Sequence, residues 1–431
     1  MAFIAPGTAS AACTGANIEG SGSTLQELAQ NEVWRPTFNN KCPGGEHEQV
    51  SAYHGVGSGA GLATWGVGKK EHNFGSAFAF VGTDQPPNPT QKSEIELVSG
   101  GGKVLSIPTL QAAVGIDIHL PTGCTSAFSG TSKKESKDFK RLALNEKTIE
   151  AIFAHTITKW SEIKDYGDKL LPAGCEGSSE IVRVVREDGS GTTAIFKKFL
   201  FEINKNPVDP ETGETWNELA EKNKNLPWPE EKVNLERANG GKGVAKLVAE
   251  KAGRIGYSNM ADARNTHLYT PEGVPAGGDG TPVFWALVQN NPANQKKYID
   301  PSDNKEINAK SNSNCSGTKY VNLNATGKKA KFPPESTEDA WNEVTAELKQ
   351  KNYPICGFTY DLSLTKFSGT ESEKTGASSA EVETIFNYFN YILNEGQVNL
   401  LGNDYLGLPN VGSAKKNVLD IARAGAAKIA F

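Results

Sequence analysis

Ile181-Val-Arg-Val-Val-Arg186-Glu187-Asp188-Gly189-Ser190-Gly191-Thr192-Thr193 joins three kinds of local structure within thirteen residues. Its first five residues are a β-branched run of strand length. A Gly/Ser/Thr turn follows, and the residues beyond are helical in pattern. From Thr193 to Ile203, Phe196, Phe199, Leu200 and Ile203 fall at i, i+3, i+4 and i+7, one apolar stripe of a helix. A strand, a tight turn and a helix in this order belong to an α/β fold whose crossovers are helical.

The same alternation extends in both directions. Upstream lie the short strand Asn17-Ile18-Glu19, a helix from about Thr24 to Trp34, the strand Val50-Ser-Ala-Tyr53, a helix beginning near Ser58, and the apolar run Phe74 to Val81. Leu105 to Leu110 and Ala112 to Ile118 read as two consecutive strands leaving this first unit. Thr148 to Phe153 is a short helix, Gly243 to Lys251 a longer one, and Gly253-Arg-Ile-Gly-Tyr257 a turn and strand. Residues 265–340 are rich in Asn, Gly, Pro and Lys, which predicts an elaborated surface loop region with one clear strand at Val283 to Val288. Phe358 to Leu364 is the last strand, and helices span roughly Ser379 to Leu393 and Lys416 to Lys428.

A chain of 431 residues has room for two or three ordinary domains. The 50 acidic and 45 basic side chains leave a net charge of −5, the opposite of a nucleic-acid binder's basic stripe. An anion would therefore have to be held by local donors, not by the field of the whole molecule. No run reaches the roughly 18 apolar residues of a membrane span. The opening Met1 to Ala12 has the small-residue character of a signal-peptide remnant, and residues 1–13 are expected to be that or disordered. Cys13 behind Ala11-Ala12 leaves lipid attachment open, although no leucine precedes it. Cys13, Cys42, Cys124, Cys175, Cys315 and Cys356 form no C-x-x-C pair or zinc-finger spacing, and an even count points to disulfides outside the cytoplasm. Composition does not choose the connectivity, and six free thiols remain the alternative. The expectation here pairs sequence neighbours: Cys13 with Cys42, Cys124 with Cys175, and Cys315 with Cys356.

Three glycine–serine tracts each open a predicted helix: Gly20-Ser-Gly-Ser-Thr24-Leu25, Gly55-Val-Gly-Ser58-Gly-Ala-Gly61, and Asp188-Gly-Ser190-Gly191-Thr192-Thr193. Glycine permits close backbone approach and a hydroxyl serves the N-cap, while the first N–H groups of a helix carry partial positive charge. One such tract is most often only a cap. Three on separate βα units together suit an oxyanion. None continues as a P-loop. Arg186 can fork onto an oxyanion while Asp188 holds it, and Asp84 follows an apolar strand.

With these blocks in order, the chain resembles the PstS family, the phosphate-binding subunits of phosphate ABC importers. The resemblance is carried by Ile18 to Gln26, Tyr53 to Gly61, Ile107-Pro-Thr-Leu110, Ile152 to Trp160, Arg186 to Thr192 and Gly253 to Tyr257. It covers about residues 17 to 260, and the segment after 353 fits the family's last part. It implies a two-lobed periplasmic-binding-protein type II fold, with mixed sheets flanked by helices and a ligand cleft between the lobes. Lobe I would take residues 14–116 and 275–431, lobe II residues 117–274, with hinges near 112–118 and 265–280. The implied phosphate contacts are Thr24, Leu25, Ser58, Asp84, Arg186, Ser190, Gly191 and Thr192, supported by Asp188. Leu25 stands where relatives often carry an aromatic residue.

The expected function is extracytoplasmic capture of inorganic phosphate and its delivery to the permease subunits of an ABC transporter. No cofactor, metal or nucleic acid is called for, and a monomer suffices. Two alternatives stand beside it. A phosphatase or serine hydrolase would use Ser58 or Ser190, although G-x-S-x-G is absent and His54 is the only histidine near a tract. A cell-surface adhesive or assembly protein on the same fold would give the 265–340 segment a purpose.

Overall fold

The computed structural model describes residues 13–42, 47–68, 79–99, 102–123, 142–165, 169–170, 180–222, 225–266, 268, 281–291, 298–303, 312–313, 315–324, 327–367, 377–400, 404–409 and 417–431. The expected signal remnant up to residue 12, the Cys124–Cys175 pair and most of the second hinge stretch lie outside these residues.

Twelve strands carry the described architecture: β1 Ile18–Gly22, β2 Val50–Gly55, β3 Phe80–Thr83, β4 Val104–His119, β5 Val182–Arg186, β6 Leu235–Ala238, β7 Arg254–Asn259, β8 Val283–Trp285, β9 Tyr320–Leu323, β10 Lys329–Ala330, β11 Val344–Ala346 and β12 Cys356–Leu364. The main sheet runs in the order β2-β1-β3-β12-β4-β7-β5-β6, with β8 also on β4. β1 pairs parallel with β2 and β3, and β5 pairs parallel with β6 and β7, as helical crossovers require. β12 runs antiparallel to both β3 and β4, so the sheet is mixed.

β4 joins the two halves of the main sheet. Val104 to Ala113 pair with β12, and Val114 to His119 pair with β7. All sixteen residues are buried, which suits a strand covered on both faces. The sequence predicts two strands here, Leu105 to Leu110 with Pro108 inside it and Ala112 to Ile118, separated at Gln111. The strand instead continues through a bulge of its own: Pro108 stands opposite Tyr360 and Leu110 opposite Thr359, which leaves Thr109 as the extra residue on β4. A bulge absorbs the missing proline N–H without ending the ladder.

The helices are α1 Arg35–Asn39, α2 Ser58–Thr64, α3 Pro89–Val98, α4 Glu146–Phe153, α5 Gly191–Ile203, α6 Trp216–Glu221, α7 Gly240–Glu250, α8 Met260–Asn265, α9 Ser379–Leu393, α10 Glu395–Asn399 and α11 Val418–Ala426. A π-helical turn at Ala29–Trp34 leads into α1, so the helix expected to stop at Trp34 runs on past Pro36. α5 shows more than one stripe: every residue from Gly191 to Phe201 is buried, Lys197 and Lys198 included. Its apolar side packs Phe196 against Phe153 and Tyr257, each pair with ring centroids 4.7 Å apart. No helix among the described residues is long and apolar enough to cross a membrane.

The 265–340 segment differs from expectation. β9 pairs antiparallel with β10 and β11 in a small separate sheet. This sheet is anchored and not merely exposed: the Tyr320 ring lies 4.3 Å from Phe358, Trp341 lies 5.8 Å from Tyr360, and Tyr320 Oη donates to Gln111 Oε1 at 2.9 Å. Cys315 is disulfide-bonded to Cys356 at the start of β12, and Cys13 to Cys42. The strand expected over Val283 to Val288 is interrupted at Ala286. β8 lies on Asp117 to His119, and Leu287–Gln289 pairs with Ala143–Leu144.

Candidate functional site

The C-terminal ends of β1 and β3 lie side by side, and Ser23 N–H donates to Gly82 O at 2.8 Å. That contact brings the first tract to Asp84. Ser23 Oγ donates to Asp84 Oδ1 at 2.5 Å and accepts the Leu25 N–H at 3.0 Å. Tyr53 Oη, donating to Ser23 O at 3.0 Å, fixes the turn from behind.

The second tract meets the same aspartate. Gly57, at φ 91°, is the N-cap of α2 and takes a backbone conformation that suits only glycine well. Ser58 follows it, and its Oγ accepts the Asp84 N–H at 3.2 Å.

The third tract follows β5, which lies across β4 from β1 and β3 in the sheet. Ser190 is the N-cap of α5, with Oγ accepting the Thr193 N–H at 3.2 Å. Gly191 and Thr192 occupy the first turn, where helix geometry offers their N–H groups no partner four residues back. Thr192 Oγ1 donates to Asp84 Oδ2 at 3.4 Å. The Gly59 N–H donates to Gly189 O at 2.9 Å, a direct backbone contact between the second and third tracts. Ser58, Asp84, Arg186, Ser190, Gly191, Thr192 and Leu25 are all buried, and Thr24 is half-buried at the cleft's edge.

Arg186 closes the set from the end of β5. Its Nε donates to Asp188 Oδ1 at 2.7 Å, its Nη2 pairs with Asp188 Oδ2, and Asp188 Oδ1 also accepts the Gly240 N–H at 3.0 Å. Nη1 is buried with no hydrogen-bond partner among the described residues. Burial works against the Arg186 charge, but the Asp188 bond and charge outweigh it and raise the guanidinium further. The same pairing holds Asp188 below the usual carboxylate range despite its burial. Asp84 goes the other way. Burial pushes it up to about 6, against the pull of the Ser23 and Thr359 hydroxyls, Arg186 and Thr192.

All three tracts and both charged groups therefore converge, as the sequence suggests. One of the expected donors is occupied. The Leu25 N–H is taken by Ser23 Oγ, and the Leu25 side chain is wholly buried. Several residues at this site escaped the sequence reading. Ser23 stood inside a quoted tract and differs from its neighbours only by where β1 ends. Thr359 on β12, Gln85, and Asn225, whose Oδ1 accepts the Ser190 N–H at 3.2 Å, carry no local motif. Asp262, pushed up to about 7 by burial and partly restrained by Arg186, lines with Glu27, Asp188 and Lys242 a cavity of about 380 Å³ at the cleft mouth.

Strands shared between two lobes and a polar point at their junction define a two-lobed periplasmic binding protein. A profile of the PBP superfamily domain matches residues 7–366, and the chain belongs to that superfamily. It is 23% identical over 400 residues to the phosphate-binding protein PstS of Methanocaldococcus jannaschii, covering 91% of this chain and 82% of that one. Among solved structures, a high-affinity periplasmic phosphate-binding protein (PfluDING) bound with phosphate has a TM-score of 0.56 at 19% identity, covering 95% of this chain and 97% of its own. The phosphate-binding protein of Stenotrophomonas maltophilia has a TM-score of 0.54 at 16% identity, covering 95% and 93%. At these identities the structures speak for the fold.

Proposed function

We propose that this chain captures inorganic phosphate, as HPO4 or H2PO4, between its lobes and delivers it to the permease of an ABC importer outside the cytoplasm. The observation that carries this reading is Arg186 Nη1, a buried charged N–H without a hydrogen-bond partner among the described residues, on a guanidinium whose charge pulls Asp84 down. A buried donor left in this state costs about 1–3 kcal/mol, more when charged, and a bound oxyanion relieves it. The relatives named above are phosphate-binding proteins, which agrees with the chemistry.

In this reading Thr24, Ser58, Arg186, Ser190, Gly191 and Thr192 supply donors, and Asp188 aims the guanidinium. Leu25 contributes its amide only if Ser23 Oγ turns away. Asp84 supplies selectivity. As a carboxylate it accepts the proton that hydrogen phosphate donates, whereas sulfate at neutral pH has none to give. We put the first lobe boundary where β4 changes partner, beside Ala113 and Val114; the sequence reading puts it at 116/117. Because β8 lies on the lobe II half of β4, we place the return to lobe I between Gln289 and Cys356.

No bond is made or broken here. A hydrolase would need a base on a serine, yet Ser58 Oγ accepts the Asp84 N–H, Ser190 Oγ caps α5, and His54 Nε2 lies 3.2 Å from Glu19. Calorimetry on protein stripped of ligand by partial unfolding, with phosphate, sulfate and arsenate in turn, tests the assignment. Heat with phosphate and none with sulfate is expected. Heat with another solute and none with phosphate would remove it.

A further inference from the structure

The lobes meet at a second set of side chains one residue beyond Asp84. Gln85 Nε2 donates to Ala220 O and to Glu221 Oε1, both at 3.0 Å, and Gln85 Oε1 accepts from Asn225 Nδ2 at 2.9 Å. The same Asn225 amide accepts the Ser190 N–H through Oδ1. One side chain of lobe II thus touches both the neighbour of Asp84 and the N-cap of α5. We propose that Gln85 and Asn225 are the closure clasp of the anion site. Asn225 is a positioning residue that aims the α5 turn, and its bond to Gln85 sets how long the anion is retained. This deepens the phosphate reading and rests on it.

Both halves of the clasp are held in place before they meet. Asn225 is 3% exposed and sits at φ 56°, a left-handed conformation that asparagine tolerates better than most residues. The loop that presents it is fastened to α5 itself. Lys197 Nζ donates to Leu219 O at 3.1 Å, Asn225 O at 2.8 Å and Pro227 O at 2.5 Å, and lies 4.4 Å from the Trp228 ring centre. Lys198, next along α5, pairs with Glu221 at 3.2 Å. Opposite, Gln85 N–H donates to Thr83 Oγ1 at 3.1 Å, Thr83 Oγ1 donates to Gln85 O at 2.7 Å, and Pro86-Pro87 restrict the backbone beyond. Preorganised partners lose little entropy on engagement. Bonds that form only once the lobes have closed act on escape and leave capture alone. Asn225 also takes the Ser190 N–H out of play, so the amides left to face an anion are those of Gly191 and Thr192.

The test follows release of 32P-phosphate from the full chain after a chase of unlabelled phosphate, with the capture rate measured in parallel. The variants are Gln85→Ala, Asn225→Gly, which suits the left-handed backbone, and their combination. Each single change should speed release about tenfold, the worth of one or two hydrogen bonds, and in Gln85→Ala capture should be unchanged. The double variant should release less fast than the product of the two single effects, since the Gln85–Asn225 contact is lost in both. Gln85→Glu, which keeps the acceptor for Asn225 but loses both donors, provides a second arm should Asn225→Gly fail to fold. Unchanged release in Gln85→Ala, fully additive effects in the double, or slower capture that accounts for the whole loss would each overturn the clasp while leaving phosphate binding standing. A wild-type chain that binds no phosphate would overturn both.

Discussion

Gly191 on α5 lies against Asp84 of the opposite lobe so closely that a Cβ built on it would stand 2.6 Å from Asp84 Cβ. The glycine is thus required by the approach of the two lobes and not by its own helix. Gly191→Ala should leave each lobe folded but hold the cleft ajar, weakening phosphate binding by about 1–3 kcal/mol, the usual cost of forcing a group into packed space. Calorimetry for affinity and thermal melting of the ligand-free chain check it. A fall in affinity without a fall in melting temperature is the expected pair.

Arg186 and Asp84 should fail differently. Arg186→Ala removes the guanidinium that would face the anion and leaves the half-buried Asp188 carboxylate without its forked partner, so phosphate affinity should drop by about 2–5 kcal/mol. Asp84→Asn removes one acceptor and adds a donor. It should weaken phosphate by about 1–3 kcal/mol while admitting sulfate. Titrating both variants with both anions decides it. Equal losses for the two anions in Asp84→Asn would end the selectivity argument.

The legible parts of this site are those written within a few consecutive residues. Val182 to Ile203 declares its strand, turn and helix locally, and Arg186 with Asp188 at i+2 sits where the strand ends. Gly57 and Ser190 are capping positions that sequence alone marks. What stayed hidden depends on crossovers. Ser23 reaches Asp84 over 61 residues and Asn225 reaches Gln85 over 140, contacts fixed by which strands became neighbours. The two strands expected on either side of Gln111 are one, because Gln111 and its neighbours pair without a break with β12, a strand distant in sequence. The β9–β11 sheet was masked by its polar composition, since a few aromatics, Tyr320 and Trp341 among them, do the packing.

The Cys315–Cys356 bridge ties that small sheet to β12, closing a loop of 41 residues. In the chain-entropy account a loop of this size contributes about 3–4 kcal/mol. Replacing both cysteines by alanine should lower stability by about 2–4 kcal/mol, measured by guanidinium unfolding of the ligand-free chain. Phosphate affinity should change little, because neither cysteine touches the tracts. A large loss of affinity at unchanged stability would instead tie the small sheet to the cleft.

Sulfate binding should appear as the solution is acidified. Asp84 is pushed up to about 6 by burial, so at neutral pH it is mostly a carboxylate and can only accept. Below that value it carries a proton and donates, which suits an anion with no proton of its own. Sulfate affinity measured at pH 5 should exceed that at pH 8, and the difference should vanish in Asp84→Asn, which donates at every pH. The stability sign keeps this distinct from acid damage. Asp84 is raised from 3.8, so between about 4 and 6 the folded chain holds the proton more firmly than the unfolded one. Its contribution to stability is fully present below about 4 and is lost as the pH rises through about 6. Acidification therefore strengthens the fold through this group at the same time as it opens the site to sulfate. Sulfate binding that stays flat across this range would mean that Asp84 is not the residue that turns sulfate away.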